Sequence, residues 1–468
     1  MIQHTGEGAL TAQPVHAGER IAALDVARGI ALLGILTVNV HYFGWPLGDV
    51  LGTHTPPKDV GGIEYAAWYY LRTFGEGKFF TIFSTLFGAG LTIQWLRATE
   101  RGLGFGGLAV RRLGFLMLLG LCHGLLLWYG DILFVYAWCG LLLLVPLHFK
   151  WSARTQVVVA VVLMALGCML WGGMSMLQGF GSRAAHQAQH NTQPQEAVAH
   201  SPTPSGDNAA VPAEVTATSG TAETPFGRLL EHWQSGRGTG SPDDPVWRDN
   251  EVMAYRHGPW LQSFLFRGVT WLSMIFMVLF GFGLGVVTMF LIGSAIIKSD
   301  VIRKGSDRFF RIAAIVGMGT GVPLSVLATS LLGHSNAWLR EFVANALYLP
   351  AGAAVALGII ACVVLWTRSG KAAGLARLIA TTGRFGLTNY LLQTVICTTI
   401  FYHWGFAKFG SLGGPALLGI ALGVYAVQLV LSAVADRYLQ YGPMEWLWRS
   451  VTYWRFQPFL RRASERAR

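Results

Sequence analysis

Residues 21–43 read IAALDVARGIALLGILTVNVHYF, a stretch whose only full charges are Asp25 and Arg28. At 1.5 Å per helical residue, crossing a bilayer core takes about 20 mostly apolar residues. This stretch is long enough. Further runs of the same kind follow at about 75–96, 113–129, 131–148, 155–177, 268–297, 309–332, 343–366, 380–402 and 415–434. The expected fold class is all-α, a polytopic membrane protein of about ten transmembrane helices. Only Tyr129-Gly130-Asp131 separates the third and fourth spans, which makes them a tight helical hairpin.

The composition of the 468-residue chain agrees. It is 53% apolar and 13% charged, where a soluble globular chain carries about 25% charged residues. Mean hydropathy is +0.44. A single soluble core stops growing near ~250–300 residues, and a disordered chain, a disulfide scaffold or a repeat solenoid fits these numbers no better. Lys and Arg number 35 against 24 Asp and Glu, a net charge of +11. The excess lies between apolar runs, and no basic helix is interleaved with base-stacking aromatics, so no nucleic-acid partner is expected. Cys122, Cys139, Cys168, Cys362 and Cys397 all fall in apolar runs without a CxxC pair and read as packing residues, with no metal site.

Lys and Arg in the loops orient the chain. Arg97, Arg101, Arg111 and Arg112 lie between spans two and three, and Lys150 and Arg154 between four and five. Lys298, Arg303, Lys304, Arg308 and Arg311 lie between six and seven, and Arg368, Lys371, Arg377 and Arg384 between eight and nine. The alternate loops are poorer, with none between spans three and four, Arg340 between seven and eight and Lys408 between nine and ten. Every basic loop falls on one side if both termini are cytoplasmic. The expected setting is the bacterial inner membrane, multi-pass, with the lipid bilayer as partner.

Five regions follow. Residues 1–20 form a polar cytoplasmic tail without a signal-peptide pattern, so the first span serves as the targeting signal. Residues 21–177 carry spans one to five and 261–440 spans six to ten. Between them, 178–260 is expected to be a periplasmic loop, disordered at about 183–225, where Ala, Thr, Ser, Pro and Gln cannot repay their ordering entropy. His186 and His190 there lack the stable helix that metal binding at that spacing needs. Trp247, Tyr255, Trp260, Phe264 and Phe266 suggest an interfacial segment before span six. Residues 441–468 read as a basic, amphipathic, membrane-surface tail. Phe83–Leu91 echoes Phe276–Leu284, which glycine-mediated helix packing explains better than a repeat.

Polar groups inside the bilayer are costly, so they carry the functional information. In span one, Arg28 and Asn39 are eleven steps apart, about 20° on the helical wheel, and Asp25 falls within about 40° of Asn39. Asp25 and Arg28 can pair as a structural clasp, while Asn39 and His41 sit at the outer mouth. In span three, Arg112 and His123 share a face, and Asp131 opens span four across the hairpin. In span nine, Asn389 and Gln393 share a face with His403 beyond them. Amides of this kind join helices or line a cavity. Glu76 and Lys78 open span two as a structural polar pair, expected to snorkel at the interface. No P-loop, HExxH or GxSxG occurs, and Gly104-Phe105-Gly106-Gly107 lacks the βαβ setting of a phosphate loop.

The motifs, taken together and in order, carry a resemblance. They are Leu24-Asp25-Val26-Ala27-Arg28-Gly29 with Asn39, Gly77-Lys78-Phe79-Phe80-Thr81-Ile82-Phe83-Ser84, and Arg111-Arg112-Leu113 with His123. Trp128-Tyr129-Gly130-Asp131-Ile132-Leu133, Thr388-Asn389-Tyr390-Leu391-Leu392-Gln393 and Tyr441-Gly442-Pro443-Met444-Glu445-Trp446 complete the set. The chain resembles the YeiB-like bacterial membrane proteins, a domain-of-unknown-function family, over nearly its whole length except 178–260. The opening motif is also similar to that of membrane acyltransferases of the heparan-glucosaminide acetyltransferase type. That similarity implies acyl transfer across a membrane and matches Asn39 to the family's asparagine. The family's histidine falls near Val50 here, with His41 and His54 flanking it.

The resulting expectation is a transmembrane acyltransferase, and the alternative is a secondary transporter of a small or amphipathic solute. A non-catalytic scaffold would not need so many intramembrane polar groups. Acyl transfer needs a base and an oxyanion donor. His41, His123 and His403 are the candidate bases, Asp131 an orienting acid and Asn39 the donor. No tightly bound cofactor is expected. Acyl-CoA is the implied co-substrate, its phosphates held by Arg28, Arg112 and Arg384 on the cytoplasmic side. The acceptor is a small molecule, a glycan or a lipid, and the oligomeric state is left open. Helices one, three and nine are expected to meet so that Asn39, His41, His123, Asp131, Asn389 and His403 line one outward-reaching cavity.

Overall fold

The computed structural model describes residues 21–52, 62–102, 104–143, 149–192, 224–235, 242, 244–332 and 338–461, leaving aside the side chains of 175–192 and a few other positions. The helices are α1 (Ala22–Gly44), α2 (Gly62–Tyr70), α3 (Phe79–Glu100), α4 (Phe105–Cys122), α5 (Leu133–Leu142), α6 (Ala153–Thr192), α7 (Pro225–Gln234) and α8 (Pro245–His257). They continue as α9 (Trp260–Phe276), α10 (Gly283–Lys298), α11 (Asp307–Leu331), α12 (Trp338–Ser369), α13 (Ala373–Arg384), α14 (Gly386–Phe401), α15 (Gly414–Tyr438) and α16 (Pro443–Tyr453). Among the described residues, seven helices are long and apolar enough to cross a membrane, and α5 and α10 are shorter apolar helices. The protein is an all-α, polytopic membrane protein.

Several spans differ from their apolar runs. The run 380–402 breaks at Phe385, so α13 ends before α14 begins. Just before the break, Gly383 lies so close to the Asp25 carbonyl of α1 that a Cβ would collide with it. Span two is preceded by α2 and a π-turn, Leu71–Gly75, and is broken at Gly77, whose φ of +81° suits glycine. Span six starts earlier, at Trp260, and passes through a π-segment, Met277–Phe282. The two echoed stretches therefore differ in backbone. One is regular helix in α3 and the other is largely π. The glycines serve contact, since a Cβ on Gly88 would strike the Phe290 backbone of α10, and one on Gly293 the Thr85 carbonyl of α3.

The stretch 178–260 holds more helix than its composition suggests. Helix α6 runs on to Thr192, past the expected linker start at 183, while 193–223 lies outside the described residues. Helices α7 and α8 dock on the end of the bundle. Leu229, Trp247 and Tyr255 join the core cluster that contains Phe43, Trp128 and Phe401. Trp247 and Tyr255 are thus buried in protein, and Trp260 is the exposed aromatic of that stretch. Proline at the first turn and an Asp244 side chain accepting from the Val246 N–H start α8 where it must turn back. At the other end, α16 does not simply lie on a membrane surface. Its Trp448 indole donates to the Arg112 carbonyl of α4 at 2.8 Å, which leaves Trp454 and Phe456 exposed.

Candidate functional site

A cavity of about 870 Å³ opens between α1, α3, α4, α10, α13 and α16. Seven basic residues line it (Arg28, Arg97, Arg112, Lys298, Arg303, Arg384 and Arg449) against four acidic ones, Asp25, Glu100, Asp300 and Glu445. Along α1 it reaches from Ile21 to Ile35, a depth of about 20 Å at 1.5 Å per residue. Its loop-side rim is polar. Its inner walls are Leu116, Ile132, Leu133, Phe87 and Tyr390.

Three of the arginines are held by named partners. Arg28 Nη1 donates to Asp25 Oδ1 at 2.8 Å, the three-residue pairing expected of one helix face. The Arg112 guanidinium stacks over the Trp448 ring, 4.0 Å from its centroid, and its Nε has no partner among the described residues. Arg384 pairs with Asp436, which also takes Arg461 from the C-terminal segment. Glu445 caps α14. It accepts from the Leu387 N–H at 2.6 Å, the Thr388 N–H at 3.2 Å and the Thr388 hydroxyl at 2.5 Å. Burial pushes its carboxyl above the ordinary carboxylate range. Two of the quoted motifs, Thr388-Asn389 and Gly442–Trp446, therefore meet at one contact.

Beyond Tyr390 lies a buried polar chain. His123 Nδ1 is 2.9 Å from Asp131 Oδ1, and His123 Nε2 is 2.9 Å from Thr394 Oγ1. Asp131 Oδ2 accepts from the Phe134 N–H at 2.7 Å, which also starts α5. With Asp131 ionised it can only accept, so Nδ1 carries the proton and Nε2 accepts from the Thr394 hydroxyl, an assignment that follows from the network. The Tyr390 ring lies 5.3 Å from that of His123 and also lines the cavity. Its hydroxyl is buried.

The other expected site residues lie elsewhere, and none of Asn39, His41, His123, Asp131, Asn389 and His403 lines this cavity. His41 is buried, with Nδ1 at 3.1 Å from the Thr37 carbonyl and its ring edge-on to Trp45. Asn39 is half-buried. Asn389 donates to the Thr382 carbonyl and to Ser432, both at 3.0 Å. Gln393 donates to Gln428 Oε1 at 2.9 Å, so these amides join α14 to α13 and α15. His403 sits against Gly258 and Trp404, and burial lowers its pKa. Glu76 and Lys78 do not snorkel. Both are buried, Glu76 paired with Arg72 and Lys78 Nζ at 3.4 Å from the Arg72 carbonyl. The end of the bundle where a common cavity was expected is packed with aromatics, with Phe43 stacked on Trp128 at 4.0 Å and Tyr255 beside Tyr402 at 4.5 Å.

Residues 296–455 match a family model described as a protein of unknown function, DUF418. The chain is 29% identical over 460 residues to Uncharacterized protein YxaH of Bacillus subtilis (strain 168), covering 96% of this chain and 98% of that one. It is 29% identical over 449 residues to Uncharacterized protein YeiB of Escherichia coli (strain K12), covering 93% and 96%. The chain is similar over nearly its whole length to these YeiB-like proteins. A shorter match, 40% over 131 residues, is to an uncharacterized 39.9 kDa protein in the amylase 3′ region of Bacillus acidopullulyticus, covering 28% of this chain and 35% of that one. No solved structure matches. The DUF418 segment brings Arg303, Arg384, Glu445 and Arg449 to the cavity, while Arg28, Arg112 and the His123–Asp131 pair come from the half before it.

Proposed function

We propose that this YeiB-like chain is a transmembrane acyltransferase of the bacterial inner membrane that takes its acyl group from a phosphate-bearing acyl-thioester on the cytoplasmic side. One observation carries the reading. The three arginines Arg28, Arg112 and Arg384 line one deep cavity whose inner wall, Tyr390, touches a buried Asp131–His123–Thr394 chain. An acyl-thioester such as acyl-CoA has phosphates for the basic rim and a narrow thiol arm for the apolar depth. Burial of the site keeps those charge interactions strong.

The chemistry assigns roles to groups already in place. His123 Nε2 exchanges its bond to Thr394 for the proton of an acceptor hydroxyl or amine, and the acceptor oxygen or nitrogen attacks the thioester carbonyl. Asp131 holds Nδ1–H and steadies the imidazolium. The Tyr390 hydroxyl, on the cavity wall, is assigned the oxyanion-donor role first given to Asn39. Collapse expels the thiolate, which regains a proton from His123.

A secondary transporter is the second reading, favoured by the aromatic filling of the outer end opposite a cavity on the basic side. That is an arrangement of alternating access with one side closed. Purified protein in nanodiscs, given acetyl-CoA and mixed bacterial lipid and glycan acceptors, separates the two. Thioester consumption that His123→Ala abolishes supports transfer. Binding without consumption, with solute flux in proteoliposomes, supports transport.

A further inference from the structure

Three glycines stand on the wall of the arginine cavity, Gly90, Gly383 and Gly386. Two of them are explained by contact with α1. A Cβ on Gly383 would collide with the Asp25 carbonyl, and one on Gly386 would press on the Arg28 Cδ at 3.0 Å. A Cβ on Gly90 would meet nothing within 4 Å. Its neighbour Gly88, about 200° round the helix, is turned to α10 and packs on the Phe290 backbone. Packing therefore accounts for Gly88 and not for Gly90. A glycine inside a helix gives up backbone entropy, and what the bare Cα of Gly90 provides in exchange is space inside the cavity.

That space has a definite level. Phe83, Phe87, Gly90, Gln94 and Arg97 recur at three- and four-residue steps along the cavity-lining face of α3. Gly90 is about 10 Å of helix from Arg97 at the basic mouth and about 10 Å from Phe83 in the apolar depth. Helices α1 and α3 run antiparallel, with Gly34 against the Phe79 ring and Gly75 against Val38. A side chain leans toward the start of its own helix, so the open side of Gly90 leans toward Phe87, away from the mouth. In the α1 register it is level with the turn that carries Asp25 and Arg28. Arg28 leans the other way, back to Asp25 and the mouth. The gap at Gly90 thus forms a neck just inside the arginines.

We propose that Gly90 is the specificity-determining position of this cavity: its missing side chain opens the neck through which the arm of a phosphate-bearing thioester passes from the arginines to the apolar depth. The inference rests on the acyl-transfer reading and adds what the donor must look like. Its anionic head and its acyl group are separated by an arm slim enough to pass between helices. A larger side chain at position 90 fills the neck and shuts out the arm, while the mouth still accepts the anionic head.

The test uses full-length protein in nanodiscs and two probes, acetyl-CoA and adenosine 3′,5′-bisphosphate, which has the phosphates and no arm. Gly90→Leu is expected to bind acetyl-CoA at least ~10-fold more weakly and the bisphosphate within about twofold of wild type, at an unchanged unfolding temperature. A second variant, Gly90→Cys in a cysteine-free background, reads the neck directly and decides alone if Gly90→Leu does not fold. Acetyl-CoA is expected to slow its reaction with N-ethylmaleimide several-fold, and the bisphosphate is expected to leave the rate unchanged. Undiminished acetyl-CoA binding in Gly90→Leu, or a Gly90→Cys rate slowed equally by both probes or by neither, overturns the neck and leaves the acyl-donor reading standing. No acetyl-CoA binding to the wild type overturns the reading and the neck with it.

Discussion

His123 and Asp131 meet at 2.9 Å, Nδ1 to Oδ1, across the bend between α4 and α5. Neither side chain touches solvent, and each has a second partner, the Thr394 hydroxyl for His123 and the Phe134 N–H for Asp131. A buried pair held at both ends keeps one tautomer and one ring orientation.

Replacing Asp131 by Asn keeps the shape and removes the charge. Stability should fall by about 1–3 kcal/mol, the cost of a buried hydrogen bond made badly. Acyl transfer should fall at least ~100-fold, the usual size of a general-base contribution. Thermal unfolding in detergent and turnover in nanodiscs read the two separately. A turnover loss no larger than the stability loss explains would reduce the pair to packing.

The contact of Gly293 with the Thr85 carbonyl leaves no room for a methyl group. Gly293→Ala should separate α3 from α10 and cost about 1–3 kcal/mol, the range of overpacking. Gly90, where a Cβ meets nothing within 4 Å, is the matched control. Its alanine variant should unfold at the wild-type temperature.

Glu251 gives the α7–α8 region a pH dependence. Its carboxyl is raised from 4.5 to about 8 in the folded protein by burial. Below about 4.5 both folded and unfolded chains hold the proton. Between there and about 8 the unfolded chain releases it and the folded one does not, so stability falls as pH rises through that window. The unfolding temperature should drop from about pH 5 to about pH 8, and Glu251→Gln should flatten the slope. An unchanged slope would assign the dependence to other groups.

Much of this was legible in the sequence, and the reasons for the rest are physical. Apolar run length reports a span directly, and hairpin adjacency brought His123 to Asp131. The three-residue spacing of Asp25 and Arg28 was enough to predict their pair. Helical periodicity tells which residues share a face but not what the face meets. Asn389 and Gln393 share a face as expected, yet that face meets Ser432 and Gln428 of α15. Glu445 escaped notice because its partners, Leu387 and Thr388, lie far back in the chain.

The orientation itself is testable. Leu230 on α7 is 39% exposed, and α7 packs at the end opposite the basic cavity. In a cysteine-free background, Leu230→Cys should react with an impermeant thiol reagent on whole cells, and Lys371→Cys should react only after lysis. The reverse pattern would place the arginine cavity on the outer face and remove access to a cytoplasmic donor.

The most direct measurement is titration of acetyl-CoA into nanodisc-embedded protein, wild type against Arg112→Gln and Arg384→Gln, at fixed ionic strength. A charge-assisted hydrogen bond contributes about 1.5–3 kcal/mol, and each 1.4 kcal/mol is about tenfold in affinity. Each variant should therefore bind roughly 10- to 100-fold more weakly while unfolding near the wild-type temperature. Saturable binding of equal affinity in all three proteins, or none in the wild type, would contradict the assignment of this cavity to an anionic acyl donor.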